Sequence, residues 1–198
     1  MNTGKLYEVF AVPVYETKLG FNVNVIADLC RSLVKDDKGR NISNRGGYQS
    51  NDIDLSNKSF ADFFANIEFH ATGFAASVLT AKTQFMHNAW ININNYGDYN
   101  VVHNHPYSHI SGVYYLKTPK DCGRLVLQNS AKDVLQYYEV DAGIKQRNQY
   151  NSQEFVLEPE PGKLYLFPSW INHYVQPNRN RNEERISIAF NTGTKQWK

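Results

Sequence analysis

The chain is poor in cysteine. Cys30 and Cys122 are its only two, too few for a disulfide framework and too far apart for a thiolate metal motif. Both are expected to be reduced, partly buried thiols. No apolar run is long enough to cross a bilayer, and no charged-then-apolar leader pattern opens the chain. Charge of one sign is also missing. Lys and Arg number 21, Asp and Glu 19, for a net charge of +2. The one basic cluster, Arg179-Asn180-Arg181, is followed at once by Glu183 and Glu184, which describes a solvated loop and not a nucleic-acid surface. Internal repeats and low-complexity tracts are absent, which excludes solenoids and arrays. A soluble protein of the cytoplasm is the expectation that remains.

What is present suits a packed core: 41% apolar and 20% charged residues in 198. One domain is expected over 1–198, with a helical part over about 1–80 and a β core over about 85–195. Residues 6–15 are aromatic and β-branched and predict a strand, placed at a sheet edge by Pro13. Asn22 can cap a helix over 22–35, where Val25, Ile26, Leu29, Leu33 and Val34 recur at helical spacing. A second helix over 58–79 carries Phe60, Phe63, Phe64, Ile67, Ala71 and Phe74 on one face. Between them, 40–54 is a loop with a short strand at 48–50.

From Gln84 the pattern turns to β. Strands are expected over 85–95, at the His103 stretch, and over 110–117, 123–128, 136–140, 153–158, 163–168, 173–176 and 185–192. In the first, Trp90, Asn92 and Asn94 share one face. Two helices followed by short strands with turn signals predict a mainly β fold, a jelly-roll core with helices packed outside.

His103 and His105 lie two apart on extended chain, so their imidazoles share a face. Neutral imidazole is a frequent ligand for iron, zinc, copper and nickel. A pair from one strand supplies two adjacent positions around a metal, and a barrel can bring a distant third, His173. Arg185 and Ser187 form a second constellation on one strand face. A fixed guanidinium binds a carboxylate bidentately, and a neighbouring hydroxyl can donate to the same oxygens. That anchors a dicarboxylate whose other end chelates the metal. Asn92 and Asn94, if buried, need partners that such a ligand or water can provide.

The segments 97–105, 111–116, 161–170, His173 and 185–191 together resemble the 2-oxoglutarate- and Fe(II)-dependent dioxygenases of the double-stranded β-helix fold. The likeness is nearest to the prolyl-hydroxylase-like branch of phages and marine bacteria, and 47–50 resembles a segment upstream of that branch's core. The resemblance implies Fe(II) held by His103 and His173. It implies 2-oxoglutarate held by Arg185 with Ser187, and O2 as oxidant. Tyr114 and Asn94 are expected to join the co-substrate pocket. The implied reaction is hydroxylation of a C–H bond with decarboxylation of 2-oxoglutarate to succinate. A small-molecule or peptide substrate is the expected partner, with no membrane or nucleic acid, and a homodimer is possible. The expected compartment narrows to the cytoplasm of a bacterium or of a phage-infected host cell.

One departure stands out. The family pattern is His-x-Asp or His-x-Glu, and this chain has His103-Asn104-His105. Either His105 replaces the carboxylate in a three-His site, or another group such as Asp98 serves; three histidines are the preferred reading. Gly97, His103, His105, Gly162, Pro168 and His173 also resemble the cupin motifs, with His109 where a cupin glutamate would stand. A cupin-type three-His metalloenzyme is therefore an alternative, and a non-catalytic jelly-roll module another. Arg185 and Ser187 favour the oxygenase. Tyr48, Tyr107, Tyr137, Tyr138 and Trp170 are candidates for the barrel mouth, with loops 40–54 and 129–151.

Overall fold

A computed structural model describes residues 4, 5, 7–141, 143, 144 and 146–194, with 138–141 as backbone only. Among the described residues, eleven strands form two antiparallel sheets. The first contains β1 (Tyr15–Lys18), β3 (Tyr48–Gln49), β4 (Phe85–Asn94), β6 (Ile110–Lys117), β9 (Lys163–Pro168) and β11 (Arg185–Gly193), in the order β1-β9-β6-β11-β4-β3. The second contains β2 (Asn44–Arg45), β5 (Tyr99–His103), β7 (Leu125–Gln128), β8 (Glu154–Leu157) and β10 (His173–Val175), in the order β2-β5-β10-β7-β8. The non-sequential orders record the crossings of chain between two facing sheets, the jelly-roll arrangement expected from the strand pattern.

Two helices pack on the outer face of the larger sheet. The first, α1 (Val23–Leu33), starts where the Asn22 side chain accepts from the amides of Asn24 and Val25 at 3.1 and 3.4 Å. A single 3-10 turn (Lys58–Phe60) leads into α2 (Ala61–Val78). Its Phe63, Phe64, Ile67, Ala71 and Phe74 are buried together with Ile91, Leu164, Leu166, Ile186 and Ile188 of the sheet. Each such phenylalanine or isoleucine contributes about 1.5–3 kcal/mol by leaving water. A second, smaller core lies between the sheets and includes Val113, Tyr115, Leu127, Tyr165 and Phe167. The period of two therefore divides every strand of the larger sheet between an outer core under the helices and an inner cavity.

Two glycines are required by geometry. Gly97, at φ +87°, turns the chain from β4 in one sheet to β5 in the other. A Cβ on Gly112 in β6 would collide with the Phe190 ring and stand 2.7 Å from the Tyr165 carbonyl oxygen.

Two expectations are corrected. Residues 7–14 form no strand; extended pairing begins only at Tyr15, and Leu6 lies outside the described residues. Pro13 cannot donate to a sheet ladder, and the strand starts after it. Residues 136–140 belong to a helix, α3 (Lys132–Asp141), not a strand. Asn129 accepts from the Ala131 amide at 2.9 Å ahead of it, and Leu135, Gln136 and Glu139 are good helix formers. The N-terminal helical part thus has a third helix elsewhere in the chain.

Candidate active site

The three histidines meet. His103 ends β5, His173 begins β10, and the two are directly opposed across the antiparallel pair. His105 follows two residues later, its amide donating to the Ser169 carbonyl at 3.0 Å. The ligand-capable nitrogens of all three lie within 4.8 Å of one another, and no other group among the described residues gathers three such side chains.

Two of the rings are held by their own backbone. Nδ1 of His103 lies 2.8 Å from the Val101 carbonyl oxygen and Nδ1 of His173 lies 3.0 Å from that of Ile171. A carbonyl can only accept, so each Nδ1 carries the proton and each Nε2 keeps a free lone pair. His105 has no such bond; its ring lies 5.6 Å from that of Trp90. Burial holds all three imidazoles neutral. It pushes His173 down to about 3, with His103 and His105 adding to the effect. It pushes His105 down to about 4, and lowers His103 against the opposing hydrogen bond from Val101. Three neutral nitrogen donors on one spot fit a divalent transition ion.

The opposite wall belongs to the larger sheet. Arg185, first in β11, faces Asn94, last in β4, and Ser187 faces Asn92 and Tyr115. All five line the cavity that the histidines line. Arg185 is 2% exposed, and its Nη1 donates to the carbonyls of Cys122 and Gly123 at 2.6 and 3.2 Å. Burial works against its charge, while Tyr115, Cys122 and Asp98 favour it. No carboxylate among the described residues forms an ion pair with it. A buried guanidinium hydrogen-bonded to backbone carbonyls and to no carboxylate among the described residues is suited to receive an anion. Asn94 Oδ1 is buried with no hydrogen-bond partner, an acceptor that needs a donor such as water.

Other candidates lie elsewhere. Tyr114 is not in the cavity: it points under α2, its ring 5.1 Å from that of Phe63, and its neighbour Tyr115 takes the inward face. Parity along β6 decides this, because Ser111 and Val113 already face inward. Tyr115 was legible through the same alternation. Asp98 does not join the histidines; its Oδ2 accepts from the Asn95 amide at 2.7 Å in the β4–β5 turn. His109 lies outside the three-nitrogen group as well. Tyr107, Tyr137 and Trp170 are exposed and Tyr48 hydrogen-bonds to the Asp37 carbonyl; none of the four lines the cavity. The Tyr138 side chain lies outside what is described. Loop 40–54 does contribute, through Ser43, which accepts from Asn100 Nδ2 at 3.1 Å. An Asn104–Asn172 hydrogen bond of 2.9 Å ties the two ligand-bearing loops together, and its long sequence separation hid it from the sequence.

The fold recurs in solved proteins. A Pseudomonas putida prolyl-4-hydroxylase is 17% identical over 92% of both chains, with a TM-score of 0.64. The viral collagen prolyl hydroxylase of Paramecium bursaria Chlorella virus-1, solved with 2OG, is 11% identical over 90% of this chain and 94% of that one, with a TM-score of 0.59. HygX from Streptomyces hygroscopicus, solved with nickel and 2-oxoglutarate, is 11% identical over 94% and 86%, with a TM-score of 0.64. No curated protein sequence matches. No described helix is long and apolar enough to cross a membrane. Residues 88–191, more than half of the chain, match the family model of the 2OG-Fe(II) oxygenases. The chain belongs to the 2OG-Fe(II) oxygenase family, with Fe(II), 2-oxoglutarate and O2 as its reagents.

Proposed function

We propose that His103, His105 and His173 hold Fe(II) through their Nε2 atoms, and that Arg185 and Ser187 bind the distal carboxylate of 2-oxoglutarate. One observation carries the reading. A buried arginine without a carboxylate partner and three neutral imidazoles face each other across one cavity. Its space is about 540 Å³ including the open mouth.

When bound, Fe(II) with 2-oxoglutarate and O2 supplies the oxidising chemistry: R–H, 2-oxoglutarate and O2 become R–OH, succinate and CO2. The chain's own residues bind and orient. Arg185 offers a guanidinium already fixed by two backbone carbonyls, so little is lost in ordering it. The Tyr115 hydroxyl is kept protonated by burial and can donate beside it. Asn94 stands opposite Arg185 and can donate to the same carboxylate. Val113, Leu125, Phe167 and Val175 keep water from the reacting end. The substrate is a small molecule or a peptide presented at the mouth, where His103 and His105 are half-buried while His173 is buried. The solved prolyl hydroxylase from Trichoplax adhaerens carries a peptide fragment, and a peptide is compatible with this opening.

The test is an anaerobic titration of metal-stripped protein with Fe(II) and then 2-oxoglutarate. A weak visible charge-transfer band that needs both reagents is the expected result. Iron binding without the band would remove Arg185 and Ser187 from the co-substrate role, and no iron binding would remove the histidines.

A further inference from the structure

We infer, resting on the three-histidine reading above, that Ser169 is a positioning residue for His105 and ties this ligand through Ser111 and Asn191 to the larger sheet. The three histidines are not held alike. His103 and His173 each have a ring nitrogen fixed by a carbonyl two residues back, at 2.8 and 3.0 Å. No ring hydrogen bond holds His105 among the described residues, and it lies beyond the last residue of β5. Where its imidazole sits therefore depends on where its backbone is held. The His105 amide donates to the Ser169 carbonyl, and the Ser169 amide donates to the His109 carbonyl, both at 3.0 Å.

Ser169 in turn stands just past the end of β9, so its side chain must supply the anchor. It is fully buried, and its hydroxyl lies 2.8 Å from that of Ser111 in β6. Ser111 Oγ lies 2.7 Å from Asn191 Oδ1 in β11, and Asn191 Nδ2 donates to Asn88 Oδ1 in β4 at 3.0 Å. An amide oxygen only accepts, so the single Ser111 proton goes to Asn191 and the Ser169 proton goes to Ser111. Asn191 is the direct register partner of both Ser111 and Asn88, so the chain of bonds runs straight across three neighbouring strands. Apolar side chains in this row would serve stability about as well, because replacing both partners of a buried bond can be nearly neutral. What the hydroxyls add is direction. They fix Ser169 in one place relative to the sheet, and the His105 amide with it. The other tie between the two loops, Asn104 to Asn172, is exposed, where water competes for both groups.

The experiment measures Co(II) affinity and the visible spectrum of the cobalt-saturated full chain. Ser169→Ala should weaken Co(II) about tenfold, the low end for a residue that supports a metal ligand, and should shift the cobalt bands. Ser111→Ala, which removes the acceptor of the Ser169 hydroxyl, should do the same. Ser50→Ala is the control. It deletes another buried hydroxyl, one that donates to the Asn51 carbonyl and accepts from the Ile91 amide outside the cavity lining. Its affinity and bands should match those of the unmodified protein. In His105→Ala, adding Ser169→Ala should bring no further loss, because the route to the metal is already cut. Unmoved affinity and bands in the Ser169 and Ser111 variants would overturn the proposal. So would an equal loss in Ser50→Ala, or a further tenfold loss on top of His105→Ala. If Ser169→Ala does not fold, Ser111→Ala decides; if His105→Ala takes no cobalt, the bands of Ser169→Ala against those of Ser50→Ala decide. Failure of the unmodified protein to take cobalt, or undiminished binding in His105→Ala, would sink the three-histidine reading itself. That result is distinct from a weakened His105→Ala beside an unaffected Ser169→Ala.

Discussion

Arg185 and the histidines behave as separable parts at the level of single residues, because they sit on different sheets. Arg185→Ala should weaken 2-oxoglutarate by roughly ten- to a hundredfold, the worth of a charge-assisted hydrogen-bond pair, while metal affinity stays. Isothermal titration with Ni(II) in place of iron would measure both, and loss of metal along with co-substrate would argue for general collapse. Acid acts on the histidines. Their pKa values are lowered in the folded state, so the unfolded chain binds more protons as pH falls below about 6.5. Stability of the metal-free protein is therefore full above that value and lost progressively toward pH 4. Denaturant melts of the protein and of His173→Gln should show a shallower pH slope in the variant; parallel slopes would assign the loss to carboxylates. The residues legible in the sequence were those with chemistry tied to chain parity: His103, His105, Arg185, Ser187 and Asn94. Tyr115 was missed for Tyr114 although the period of two along β6 places Tyr115, not Tyr114, on the face of Ser111 and Val113.

Elements were legible where one face is apolar and the ends are signed. Asn22 marks the start of α1, and the phenylalanine stripe marks α2. Asn22→Ala should cost about 1 kcal/mol, measured by thermal or denaturant unfolding. Phe64→Ala should cost about 3–5 kcal/mol, since Phe64 stacks on Phe60 at 5.5 Å in a closed core. A loss under 1 kcal/mol would mean that the helix is loosely attached. The strand boundaries at Tyr15 and the helical identity of 132–141 were not legible. Short aromatic segments carry similar weight for both structures, and here a turn at Asn129, which accepts from the Ala131 amide, leads into the helix. Pairing order was not legible either. β10 is only three residues long, yet it seats His173 opposite His103.

At the scale of the whole molecule, ligands should stabilise what they join. A bound group at a hundred times its Kd adds about 2.7 kcal/mol. Ni(II) and then 2-oxoglutarate should each raise the melting temperature, and the second increment should vanish in Arg185→Ala. An increment that survives there would place the co-substrate elsewhere.

Helices α1 and α2 pack behind the larger sheet, and this has a mechanical reading. The wall bearing Arg185 and Asn94 is clamped from behind by α1 and α2 and threaded by the nine residues of β11 between β4 and β6. The wall bearing His103 and His173 is thin, and Phe155 and Val156 of its edge strand stand exposed. One jaw of the vice is backed by helices and the other has an exposed edge strand. Amide exchange should be slow along β11 and faster along β10. Equal exchange along the two strands would show that the exposed edge of the histidine-bearing sheet leaves it no looser than the helix-backed one.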